Sequence, residues 1–397
     1  MNPATALFRK HYGHPPIHVV RAPGRLELLG NHTDYNEGLV LALAVDQAVT
    51  ITSAPRLDGR IELVSSAFDA KETFFAHDLT KKPAAPWADY LKGVLEQLRR
   101  RHIHFGGFNA AIHSTLPLGA GLGSSAALAV ATLLTIRQLT PFTLTATGAS
   151  APPTRDKKGA LPLLTAAEKI AAARLCQAAE NQFVGVNCGL LDPLASLFGL
   201  AGHAIEIDCQ SLTVEHVPLA GEAALVVCPS GVKHALVAGE YNARRQHCAS
   251  AARTLGVKSL RTVDAKFLAA NKSRLAGRDY QCACHVVGET QRVVFGARAL
   301  RAGDFWQFGQ FMFQSHESSR EFFQNSCAEL DLLVDLARAQ PGCLGARLTG
   351  GGFGGSTINL VERGRVPAFI ESIASQFEQR LGYTIEPKLC EIADGAR

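Results

Sequence analysis

At 397 residues the chain is long enough for about two or three domains with substantial cores. Its 47% hydrophobic and 19% charged content is that of a globular protein, and the net charge of +5 is mildly basic with no lysine or arginine block, which excludes a nucleic-acid arm and leaves room for a small anionic ligand. The longest apolar runs, 39–45 and 126–134, fall well short of the ~20 residues needed to cross a bilayer, so no membrane partner is expected.

In chain order, residues 1–11 carry Arg9 and Lys10 with no apolar core after them, and no secretory signal is expected. Alternation and β-branched residues predict strands over 17–21, 39–45, 49–53 and 61–64, with a strand-like 108–114. Helical periodicity follows over 89–101, 124–139 and 166–183. Between the last two, residues 141–162 hold four prolines and no apolar period, and read as a mobile excursion. A glycine-bearing stretch over 198–203 is the expected domain boundary, giving domains 1–200 and 201–397. The second half predicts strands over 204–207 and 224–227 and helices over 240–255, 283–300, 304–319 and 328–339. A strand and glycine turn over 346–355, a strand over 357–361, a helix over 366–380 and a closing strand complete it. Strands and helices grouped in this way indicate an α+β fold rather than a regular βαβ array.

The ten cysteines follow no frame, which indicates reduced thiols and a cytoplasmic setting. Only Cys282-Ala283-Cys284-His285 invites a metal reading. No second ligand pair stands at a matching spacing and the region reads as helix, so it is taken as structural.

Three segments carry chemistry. The first runs from Gly24 to Gly38 and packs Arg25, Asn31, His32, Thr33 and Asp34 between two apolar runs. Locally it reads as a hairpin with a polar turn. The same mixture of donors and acceptors also suits the hydroxyls of a polyhydroxylated ligand. The second, residues 116–127, places Gly119, Gly121 and Gly123 before a helix opening at Ser124. Glycines that turn N–H groups inward, with a helix N-terminus aimed at the same spot, bind anions such as phosphate. No lysine stands where a P-loop requires one, so that fold is not implied. Ser125 could help coordinate Mg²⁺ there. The third, residues 348–356, contains five glycines and a formal G-x-G-x-x-G. It leads into a strand near the carboxyl end, so close backbone approach explains it better than dinucleotide binding.

Two carboxylates complete the set. Asp192-Pro193 has the local chemistry of a helix N-cap followed by proline. Alternatively, Asp192 faces a substrate hydroxyl and takes its proton, with Arg25 keeping it ionised. Glu180, at the end of a helix, is either a solvated carboxylate or a Mg²⁺ ligand.

Together the three segments resemble the sugar kinases of the GHMP superfamily, and most closely its galactokinase family. The stretches 232–236, 240–245, 315–318 and 326–331 agree as well. The resemblance implies a two-domain GHMP kinase fold with the active site in the interdomain cleft. It implies transfer of phosphate from MgATP to the anomeric hydroxyl of galactose. By motif position, Arg25, Asn31, His32, Asp34, Gly189, Asp192 and Tyr241 would line the sugar, with Asp192 as base and Arg25 as its partner. Gly119, Gly121, Gly123 and Ser124 would cradle phosphate, and Ser125 and Glu180 would hold Mg²⁺. The partners implied are a small sugar and MgATP, and the chain is expected to be a monomer. The other readings are a kinase for N-acetylgalactosamine or arabinose, and a galactokinase-like sugar sensor. The sensor lacks a serine-alanine element that Ser125-Ala126 retains here. The chain departs from the family pattern in three places. Asn31 stands where glutamate is usual, Gly123 where the first serine of a triple run is usual, and Pro193 where glutamine is common. The first departure implies altered recognition near the exocyclic hydroxyl of the sugar.

Overall fold

The structure, a computed structural model, describes residues 2–117, 119, 121–145, 148–219, 221–232 and 237–397, with the backbone alone at 149, 237 and 238. In chain order, helix α1 (Pro3–Tyr12) precedes the long strands β1 (His18–Leu29) and β2 (Leu39–Arg56), then β3 (Arg60–Ser65), β4 (Ala70–Phe75), α2 (Asp89–Arg100), β5 (Gly107–Ser114) and α3 (Ser124–Leu139). A small hairpin, β6 (Thr143–Leu144) and β7 (Ala149–Ser150), leads to α4 (Ala166–Ala178), α5 (Leu191–Phe198), β8 (His203–Asp208) and β9 (Thr213–Pro218). Then come β10 (Ala223–Pro229), α6 (Val237–Leu255), α7 (Ala265–Ala270), α8 (Gly277–Arg301), α9 (Phe305–Ser318) and α10 (Ala328–Arg338). The chain closes with β11 (Cys343–Thr349), β12 (Ser356–Glu362), α11 (Val366–Leu381) and β13 (Lys388–Cys390).

Seven strands form the first sheet in the order β4-β3-β5-β2-β8-β9, with β1 antiparallel to β2. The two runs predicted at 39–45 and 49–53 are one continuous strand. Asp46 and Gln47 interrupt its apolar side chains but not its backbone, and the β1 partner is irregular opposite them, between Pro23 and Arg25. That irregularity re-aims Arg25, a common use of a broken ladder beside a site. Period-two alternation sorts the sheet's side chains. Ala110 and Ile112 enter the main core, whereas Ala54, Val64 and Ala111 receive Phe8 of α1 on the other face.

The second sheet has the order β11-β12-β10-β13. Leu225, Val227, Ile358 and Leu360 face the main core, while Val226, Ala346 and Val361 pack with α10 and α11. One apolar core therefore runs from the first sheet to the second. Burial of this extent, at roughly 25 cal/mol per Å² of apolar surface, is what fixes the two sheets together. A third cluster joins α6, α7 and α8.

Two expectations need correcting. Residues 198–203 form a tight turn with a Leu200–His203 bridge, and β8 and β9 complete the first sheet through β2, so a division between 200 and 201 separates two strands from their sheet. The chain passes to the second sheet between β9 and β10. The excursion 141–162 is also tied down in part. Phe142, Leu144 and Leu161 are buried, and Arg137 donates to the carbonyls of Phe142 and Pro162. Three isolated apolar anchors give no period, which is why the sequence hides this packing.

Candidate active site

The turn between β1 and β2, the N-terminus of α3, the wide helical turn Ala179–Val184, the start of α5, Tyr241 of α6 and the β11–β12 glycine turn surround one cavity of about 400 Å³. Arg25, Asn31, His32, Asp34, Ser125, Glu180, Gly189, Asp192 and Tyr241 all line it.

Arg25 and Asp192 form a bidentate pair. Nε donates to Oδ1 and Nη2 to Oδ2, each at 2.8 Å, while Nη1 donates to the carbonyl of Gly121. Burial by itself would lower the pKa of Arg25, but Asp192 and Glu27 raise it, so the guanidinium stays charged. Asp192 is not the N-cap that the local sequence suggests. Leu190 takes that place and Asp192 stands in the first turn of α5, its side chain turned to Arg25. A long-range ion pair outweighs a local cap, since two parallel charge-assisted hydrogen bonds exceed one to a backbone amide.

Gly189 brings a second carboxylate close. A Cβ there would lie 1.6 Å from Oδ2 of Asp34, so only glycine lets the two segments meet. Desolvation, then the charges of Glu27 and Asp192, push the Asp34 carboxyl up to about 7. His32 is an aromatic wall rather than a base. Nδ1 meets the Tyr35 hydroxyl at 2.8 Å and Nε2 the Gly351 carbonyl at 3.1 Å, and burial drives its pKa down to about 3. Its ring packs against Phe323 and Tyr241, at 4.5 and 5.0 Å between centroids.

Glu180 is buried, not solvated. The wide turn that follows α4 carries it inward, and burial followed by the Asp192 charge raises its carboxyl to about 7, while a hydrogen bond from Ser125 opposes the shift. Helical turns of this kind often mark functional positions. Ser125 and Glu180 thus face each other beside Asp192, an all-oxygen donor set of the kind a hard divalent cation prefers.

The two glycine turns abut. A Cβ on Gly350 would meet the Gly121 carbonyl at 3.0 Å, which accounts for the third glycine segment by close backbone approach. Gly119, Gly121 and Gly123 have φ of 74°, 75° and 71°. Gly123 precedes α3 in the left-handed region, where glycine is at home and the usual serine would be strained. Leu118 and Ala120 of this turn lie outside the described residues, as do residues 233–236 of the stretch noted in the sequence.

Known families match this layout. A galactokinase galactose-binding signature matches residues 6–55, the GHMP kinases N terminal domain residues 89–149 and the GHMP kinases C terminal domain residues 297–379. The galactokinase of Chloroflexus aurantiacus is 39% identical over 395 residues, covering 98% of this chain and 95% of that protein. The chain belongs to the galactokinase family of GHMP kinases. The galactokinase of Bos taurus is also 39% identical, over 402 residues, 99% of this chain and 95% of that protein. A solved Lactococcus lactis galactokinase complexed with galactose superposes with a TM-score of 0.88 at 29% identity, covering 99% of this chain and 98% of that one. A mevalonate kinase at 17% identity and a TM-score of 0.58 shares the fold alone.

Several residues that this family member uses to hold its site escaped the sequence reading. Glu289 of α8 accepts from the backbone N–H groups of Gly30 and Asn31, at 2.9 Å each, and is gripped by Arg292 at 2.5 Å. Burial opposes its ionisation, but Arg292 and His285 hold its carboxyl well below the usual range. His285, from the cysteine-histidine cluster, meets the Asn31 carbonyl at 3.1 Å and Ser318 at 2.9 Å, so it supports the turn between β1 and β2. The contacts to the turn join positions more than 250 apart in sequence, and no local pattern signals them.

The first departure also takes on a different meaning. Asn31 is buried, and its Nδ2 donates to Oε1 of Glu27 at 2.8 Å and to the Gly350 carbonyl at 2.7 Å. Its Oδ1 accepts from Asn325 at 2.9 Å. The side chain expected to face the sugar is spent on the protein.

Proposed function

We infer that this chain catalyses transfer of the γ-phosphoryl group of ATP to the anomeric hydroxyl of galactose, giving α-galactose 1-phosphate and ADP. The observation that carries this reading is the bidentate Arg25–Asp192 pair on the cavity wall, directly beside the glycine turn that opens α3. Arg25 holds the carboxylate in one orientation and leaves lone pairs on both oxygens for a hydroxyl in the cavity. Asp192 orients that hydroxyl and accepts its proton as the new oxygen–phosphorus bond forms. Gly121, Gly123 and Ser124, with Gly119 at the turn's outer end, offer backbone N–H groups and the positive end of α3 to the ATP phosphates.

His32, Asp34, Gly189 and Tyr241 shape the sugar pocket. Asp34, with its raised pKa, can accept from or donate to a hydroxyl. Ser125 shares a second cavity of about 220 Å³ with Ser124, Phe68, Trp87 and Tyr90, where Phe68 and Trp87 stack at 5.8 Å, and this aromatic face is where we put the nucleotide base. The donor set fits Mg²⁺, with Ser125 and Glu180 as the residues that would hold it. When bound there, the ion supplies neutralisation of the charge on the phosphoryl oxygens.

The test is ADP release from MgATP against galactose, N-acetylgalactosamine, glucose and arabinose, with the phosphate position read by phosphorus NMR. Turnover fastest on galactose with a 1-phosphate product is expected. Turnover fastest on another sugar, or binding with no turnover, overturns the reading.

A further inference from the structure

With both amide hydrogens of Asn31 and one lone pair of its oxygen engaged, the wall of the cavity near residue 31 still contains a carboxylate. Glu27 lies four residues earlier on β1, lines the same cavity and is only 4% exposed. Its two oxygens are not equivalent. Oε1 accepts from Nδ2 of Asn31 at 2.8 Å and from Nη2 of Arg347 at 3.1 Å. Oε2 has no hydrogen-bond partner among the described residues and is not fully enclosed, and Glu27 lines the cavity. Arg347 is itself completely buried and is held by the Leu28 carbonyl at 3.1 Å, which gives the carboxylate a fixed anchor.

This arrangement is a built acceptor. A carboxylate removed from water is costly unless its lone pairs are matched, and here the protein matches one oxygen and leaves the other facing the ligand space. Burial, with the nearby Glu289 charge adding to it, holds the Glu27 carboxyl above its ordinary value, and Arg347, Arg25 and the Asn31 amide oppose that shift without cancelling it. The geometry and the chemistry both call for a donor from outside the chain.

We propose that Glu27 is the carboxylate that reads a sugar hydroxyl in this protein, its Oε2 accepting from a hydroxyl other than the reacting one, with Asn31 and Arg347 as positioning residues. The proposal rests on the galactose reading above. The charge missing at position 31 is supplied from position 27, and the hydroxyl contact remains charge-assisted.

The experiment compares wild type and Glu27→Gln on galactose and its monodeoxy analogues at positions 2, 3, 4 and 6. Gln keeps an acceptor for Asn31 and Arg347 and replaces the free oxygen by a donor. On galactose, KM rises by roughly 10- to 150-fold with kcat changed little, the loss expected for one charge-assisted hydrogen bond made equally in ground and transition states. The decisive readout is the analogue series. In wild type each deoxy position carries a penalty; in Glu27→Gln one penalty disappears and the other three persist.

A series in which all four penalties survive in the variant overturns the proposal and leaves Glu27 a packing residue. Should Glu27→Gln fail to fold, Glu27→Gln with Arg347→Met removes both ends of the buried pair, a change that folded proteins commonly tolerate, and the same series is read on it. Failure of the wider reading looks different: wild type itself then does not phosphorylate galactose, whatever residue 27 does.

Discussion

Replacing Asn31 by aspartate tests the network behind the turn between β1 and β2 with the smallest possible change, one NH₂ for one oxygen. In the structure that nitrogen lies 2.8 Å from Oε1 of Glu27 and 2.7 Å from the Gly350 carbonyl. An ionised aspartate side chain in that place would set two carboxylates at hydrogen-bond distance, a repulsion of about 6 kcal/mol at an effective dielectric of about 20. The protein can escape by keeping a proton there, at a cost of about 5 kcal/mol at a pH of about 7.5 for a carboxyl with an ordinary pKa of about 3.9. One proton serves only one of the two acceptors, so a further ~1–3 kcal/mol is lost at the other. The total is a large share of the ~5–15 kcal/mol that holds a typical protein folded.

The sign of the pH effect follows. The carboxyl introduced by Asn31→Asp has a folded pKa raised above its unfolded value, so between the two the folded state binds the extra proton and stability falls as pH rises. The variant's penalty therefore grows by up to about 2.7 kcal/mol from about pH 6 to about pH 8. Urea midpoints read by circular dichroism, rather than extrapolated free energies, suit a chain whose clusters can unfold in steps. A midpoint lowered by about 1 M or more at about pH 8, and by less at about pH 6, is expected. A second change, Glu27→Gln, should restore most of the loss. A midpoint within about 0.3 M of wild type at both pH values would refute the network, since experimental scatter alone spans that range.

Asp192→Asn should lower kcat by about 10²–10⁴-fold, the usual worth of a positioned general base, with nucleotide affinity unchanged by calorimetry. Because the Glu180 carboxyl is raised to about 7 and a ligating carboxylate must be deprotonated, Mg²⁺ should raise the melting temperature more at about pH 8 than at about pH 6. The sign is that of a raised carboxyl: without the ion, its contribution to stability is lost as pH climbs from the unfolded value toward about 7. Gly189→Ala should raise the KM for galactose more than that for MgATP, since its Cβ displaces Asp34; equal effects on both substrates would count against that placement. Trp87→Ala should raise the KM for ATP about tenfold with galactose affinity intact, as loss of an aromatic stacking face predicts.

The amino-acid sequence by itself determined the α+β class, most helices and the identity of the three glycine-bearing segments. These signals are local: periodicity marks α3 to the residue, and glycines before Ser124 announce a tight turn into that helix. The galactokinase likeness is local in the same sense, being carried by short motifs in order. Tertiary structure alone decided how those motifs are used. Asp192 carries two readings in the sequence, a cap or a partner of Arg25, and the ion pair across 167 positions selects the second. Glu180 is left open in the sequence between a solvated helix end and an inward ligand until the wide turn buries it, and Asn31 reads as a ligand contact until Glu27, Gly350 and Asn325 engage its amide. The reason is physical. A side chain's role is set by which groups share its desolvated surroundings, and only the packed chain brings those groups together.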